Sequence, residues 1–118
     1  MYKMNKEFLH KWICALRNTK HKQIRYNLFV DGSYCAIGIA CKEVMSVKDR
    51  HMHNKGEIKE IELFQNYKNQ ELFKRKFGND DYEFIHDELM GCVAELNDED
   101  GLSFYDISVW LETNVEGI

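Results

Sequence analysis

Residues 94–112 read Ala94-Glu95-Leu96-Asn97-Asp98-Glu99-Asp100-Gly101-Leu102-Ser103-Phe104-Tyr105-Asp106-Ile107-Ser108-Val109-Trp110-Leu111-Glu112. This stretch decides the fold, because it reads as a corner between two helices. Upstream, Ile85, Leu89, Val93 and Leu96 recur at helical spacing and give one apolar face. The helix they define starts at Asp80-Asp81, whose acids suit its N-terminal dipole, and ends near Asn97. Downstream, Ser103 caps a last helix, with Asp106 three residues on in a capping-box-like pair. Phe104, Ile107, Trp110 and Leu111 make the apolar face of that helix. The acids between the helices invite a calcium-loop reading. With Gly101 at the sixth position of such a loop, its two anchors fall on Leu96 and Ile107, and neither is an acid.

Working outward from this corner, Phe8, Trp12, Ala15 and Leu16 predict a first helix over 6–18, capped by Asn5. Residues 19–25 are polar and basic and read as a connector. Arg25 to Tyr34 reads as a hairpin: Tyr26, Leu28 and Val30 alternate, and Asp31-Gly32 is a strong turn dipeptide. Cys35 to Val47 is almost continuously apolar. Its length and the run Cys41-Lys42-Glu43-Val44-Met45 favour a buried helix, with a strand as the alternative. Gly38, lacking Cβ, allows close packing there. Beyond it lie a polar stretch over 48–57 with a turn at Asn54-Lys55-Gly56, a short strand from Ile58 to Phe64, and a short helix from Glu71 to Phe77 ending at Gly78. The reading is an α+β fold: one small domain spanning 1–118, about four helices with one or two β-hairpins, and residues 48–80 as an insertion or lid.

Composition agrees with one core. The chain has 118 residues, 44% of them apolar and 13% aromatic, too many for a disordered chain. No run of apolar residues is long enough to cross a membrane. No apolar stretch follows Met1-Tyr2-Lys3-Met4-Asn5-Lys6 as a signal peptide requires, so the four cysteines read as reduced thiols and the location as cytoplasmic. There is no proline. The net charge of −4 hides an asymmetry. Residues 1–55 carry 11 lysines and arginines against 4 acids, a net of +7; residues 56–118 carry 5 against 16, a net of −11. An acidic whole argues against long nucleic acid as a partner, while the local run Arg17, Lys20, Lys22 and Arg25 still admits a small anion.

Motifs with known chemistry are few. Cys35 and Cys41 are six apart, which is no zinc spacing. Cys14 and Cys92 fall on faces that read as apolar, so all four thiols are expected to behave as small buried hydrophobes. His51 and His53 lie in a polar loop and read as surface. No nucleophile elbow, phosphate loop or dinucleotide fingerprint occurs. Neither a cofactor nor a metal is therefore expected.

Three stretches carry a resemblance. They are Trp12-Ile13-Cys14-Ala15-Leu16-Arg17 followed by His21-Lys22-Gln23; Tyr34-Cys35-Ala36-Ile37-Gly38-Ile39-Ala40-Cys41; and Ala94-Glu95-Leu96-Asn97-Asp98 with Gly101, Ser103-Phe104, Ile107 and Trp110-Leu111-Glu112. In this order they resemble a family of small bacteriophage and prophage proteins of unassigned function. The match touches about the first 45 and last 25 residues. It departs from the family pattern at Asn18-Thr19 and at Ala36, where the family has Ser-Gly and a second cysteine. The resemblance implies a phage tool against host defence. One such class sequesters nucleotide-derived immune signals without cleaving them, commonly as homo-oligomers. Arg17, Lys20, Lys22, Gln23 and Arg25 are then the candidate phosphate contacts, with Tyr26 and Tyr34 offering faces for a base. Gln23 reads equally well as a side chain tying the connector to backbone. Two alternatives remain: an inhibitor that binds a host protein through the acidic C-terminal half, and a small nucleotide-processing enzyme using His86 or Asp98.

Overall fold

The computed structural model describes residues 2–46, 48–49 and 79–117, the last stretch with side chains from Glu88 onward. The readings for 50–78, including the expected strand, short helix and histidine loop, lie outside the described residues.

The chain opens with strand β1 (Tyr2–Met4) and helix α1 (Lys6–Asn18). Asn5 caps α1 as expected, its side-chain oxygen accepting the Phe8 N–H at 3.0 Å. Phe8, Leu9, Trp12, Ile13 and Leu16 are buried, one face of a 3.6-residue period. Cys14 lies on the opposite face and is exposed, and Cys92 is only half-buried. The expectation of four buried thiols therefore holds for Cys35 and Cys41 alone.

The connector is more structured than its polarity predicts. Its strand β2 (Lys22–Gln23) pairs in parallel with β4 (Ser33–Tyr34), which pairs antiparallel with β3 (Phe29–Val30), giving the order β2-β4-β3. Asp31 and Gly32 turn the hairpin with φ of 45° and 81°, the two positive values a tight hairpin turn needs. The hairpin is shorter than its alternation implies. Tyr26 sits at φ 67°, its N–H held by the Asp98 carboxylate at 2.8 Å, so the extended backbone stops there.

Helix α2 (Ala36–Ile39) continues into a π-helical turn over Ala40–Val44, bearing out the helical reading of this run. Residues 34–41 are all buried. A Cβ on Gly38 would strike the carbonyl oxygen of Leu28, so the close approach is to a loop backbone. Gly38→Ala is expected to cost about 1–3 kcal/mol, as overpacking does, read from the urea midpoint.

Helices α3 (Asn79–Asp98) and α4 (Phe104–Asn114) flank the corner at 99–103. Ser103 Oγ accepts the Asp106 N–H at 3.1 Å, the expected cap. Leu89, Val93, Phe104, Ile107 and Leu111 are buried, while Leu96 and Trp110 are half-buried. The chain closes with β5 (Val115–Gly117), which pairs in parallel with β1, Tyr2 opposite Val115. No sequence signal announced this pair. The architecture is α+β, with one core made by the inner faces of α1, α3 and α4 around the buried α2. No helix among the described residues is long and apolar enough to cross a membrane.

Candidate functional site

Gln23 enters the interior. Its Nε2 donates to Asn97 Oδ1 and to the Leu102 carbonyl, both at 2.8 Å, and its Oε1 accepts the Phe104 N–H at 3.1 Å. Both ends of the amide are thus satisfied inside the fold, the tying role that was its alternative reading. Asn97, buried at the end of α3, completes the hub. It accepts the Ala36 N–H at 3.1 Å and donates to the Ile24 carbonyl at 2.9 Å and to Asp98 at 2.8 Å. The hub joins β2, the start of α2 and both sides of the helical corner.

Arg17 turns toward α4. Its Nε donates to Ser108 Oγ at 3.0 Å, its terminal nitrogen lies 3.2 Å from Glu112, and its guanidinium stands 5.6 Å from the centre of the Tyr105 ring. The Arg25 guanidinium lies against Gly101, where a Cβ would collide with it. Tyr34 is buried. Its ring packs on Phe29 at 5.0 Å and His21 at 4.6 Å. Of the seven candidates, Lys20, Lys22 and Arg25 on the connector and Tyr26 just past it are exposed. Arg17 faces another surface, and Gln23 and Tyr34 turn inward.

The Tyr34 hydroxyl donates to Asp49 Oδ1 at 2.7 Å, and Lys42 Nζ lies 3.0 Å from the same oxygen. Burial first, and then the Asp49 carboxylate, push the Tyr34 hydroxyl well above its ordinary value. The hydrogen bond from Tyr34, assisted by Lys42 and opposed by partial burial, holds Asp49 below the usual carboxylate range. A depressed folded-state value stabilises the fold above the unfolded-state pKa and is lost as pH falls through the folded one. The melting-temperature gap between the wild type and Tyr34→Phe is therefore expected to narrow below the ordinary carboxylate value of about 3.9. A gap that stays constant from pH 7 to pH 2 contradicts this.

A groove of about 490 Å³ runs along α3. Glu88, Gly91, Cys92, Glu95, Asp98 and Glu99 recur every three or four residues and line it, with Tyr26 at its rim. Sequence reading supplied Tyr26 and the acidic bias but not the groove, which forms only where the connector meets α3. Two features cost stability without serving the core. Tyr26 is 59% exposed and holds a left-handed backbone that bulky residues rarely adopt. Gly91 sits inside a helix, and nothing within 4 Å would contact a Cβ there. Gly91→Ala is accordingly expected to raise stability by about 0.5–1 kcal/mol, seen as a higher urea midpoint at unchanged slope. On the groove wall the Cys92 thiol and the Tyr2 hydroxyl share a hydrogen bond of 2.9 Å, which, with burial, pushes the hydroxyl up to about 12.

Compared with known protein families, with curated proteins and with solved structures, the chain gives no match.

Proposed function

We propose that the chain is a non-catalytic binding protein of the phage-accessory kind, which captures a basic segment of a host protein in the groove along α3. The observation that carries the reading is Tyr26, presented at the rim of an acid-lined groove by the Asp98 carboxylate. An exposed aromatic face beside carboxylates suits a lysine or arginine side chain, by cation–π attraction and charge together. Gly91 supports it, since a side chain there would fill the groove floor. The test is affinity capture from host lysate at low salt, with partners identified by mass spectrometry. A basic partner released by salt is expected, lost in Glu95→Lys/Glu99→Lys and weakened about tenfold or more in Tyr26→Ala, as for a binding hot spot. A captured set unchanged in both variants defeats the reading.

Sequestration of a nucleotide-derived signal is the second reading, favoured by the exposed cations Lys20 and Lys22 with Arg25 and Tyr26 beyond them. Native mass spectrometry with cyclic nucleotides and ADP-ribose derivatives tests it. Intact ligand should be retained by the wild type and lost in Lys20→Ala/Lys22→Ala.

A further inference from the structure

Helix α1 presents a second chemistry-bearing group, on the face turned away from the core. His10 and Cys14 are one turn apart, both are exposed, and His10 Nε2 lies 3.7 Å from Cys14 Sγ. That separation fits a chelate. With zinc–sulfur and zinc–nitrogen bonds of about 2.3 and 2.05 Å, a tetrahedral ion holds its sulfur and nitrogen ligands about 3.6 Å apart. A thiolate with an imidazole suits borderline and soft divalent ions, zinc above all, rather than magnesium or calcium.

The pair is half of a closed set. Structural zinc takes four protein ligands. Among the described residues, no group of three His, Cys, Asp or Glu side chains is placed to hold a metal. A two-fold axis supplies the missing half, because an isologous contact presents the same patch twice. Two copies of His10 and Cys14 make a Cys₂His₂ set. Of the neighbouring charges, Lys11 is paired with Glu7 at 3.2 Å and Arg17 with Glu112, while the exposed Lys6 stands one turn before His10.

We propose that His10 and Cys14 form a half-site for a zinc-type divalent cation, which a second copy of this chain completes across a two-fold axis. Binding releases the thiol proton and involves no redox step. The inference is independent of the groove along α3.

The experiment uses the full chain with a non-thiol reductant, which removes disulfide-linked dimers, and zinc ion alone as the probe. Native mass spectrometry and sedimentation velocity are expected to show a dimer carrying one zinc per two chains, reversed by a chelator. Cobalt substitution should give a thiolate-to-metal absorption band. Cys14→Ser and His10→Gln change exposed side chains, so their folding, checked by circular dichroism, should match the wild type. Each should abolish the zinc-dependent dimer and weaken binding at least about 100-fold, the upper end of what losing a mere outer-shell partner costs. Three results overturn the proposal: a wild type that stays monomeric without taking up zinc, one zinc bound per single chain, or a zinc-dependent dimer that survives either substitution.

Discussion

Replacing Asn97 with alanine is expected to lower the unfolding free energy by about 3–5 kcal/mol, among the largest effects for a single polar side chain. The reason is the number of partners stranded at once. Asn97 is 1% exposed, and its amide serves Gln23, the Ala36 N–H and the Ile24 carbonyl. Each buried group left without a partner costs about 1–3 kcal/mol, because water does not replace what is lost. Asn97→Asp separates the terms. It keeps an acceptor for Gln23 and Ala36 but turns a second carboxylate oxygen toward the Ile24 carbonyl. It should be at least as damaging at pH 7 and recover in part under acid. Urea unfolding of the three proteins checks this; an alanine variant within 1 kcal/mol of the wild type, on the scale of an ordinary hydrogen bond, would falsify the hub.

The second large effect is expected at Trp12. Its side chain is fully buried, stands edge-on to Phe8 with ring centres 6.1 Å apart, and donates from Nε1 to the Ala36 carbonyl at 3.0 Å. Trp12→Ala should cost about 3–5 kcal/mol, through lost burial and the cavity it leaves. Small domains have about 5–15 kcal/mol in all, so this variant is left marginal. Trp12→Phe keeps most of the ring and gives up the indole N–H. The Ala36 carbonyl still accepts the backbone N–H of Ala40, so this change should cost only about 1–2 kcal/mol. Thermal unfolding of both variants measures the two contributions apart.

Other residues of the three quoted stretches fasten the fold as well. Gln23 lies 74 residues before Asn97 in sequence, yet it joins Asn97-Asp98, Gly101 and Ser103-Phe104 in making or permitting the contacts that close the corner between α3 and α4. Trp12 and Arg17 fasten α1 to α2 and to α4. These stretches thus supply many of the fasteners of the fold. Gln23 and Tyr34 are drawn into such contacts, while Tyr26 and the connector cations stay on the surface.

By itself, the sequence determined the helices and their caps, because those depend on near neighbours. The 3.6-residue spacing in α1, α3 and α4, Asn5 and Ser103 as caps, and Asp31-Gly32 as a turn are all local properties. Tertiary structure decided everything that pairs distant residues. Two- and three-residue strands such as β2 and β1–β5 carry too short a pattern to announce themselves, and a parallel partner can lie anywhere along the chain. The amide of Gln23 has the same chemistry in a ligand site as in a buried hub. The hydrogen bonds it makes follow only from the arrival of Asn97, Leu102 and Phe104 around it. The groove beside Tyr26 follows the same rule: its acids were legible in the sequence, but its shape exists only where the connector is held against α3 by Asp98.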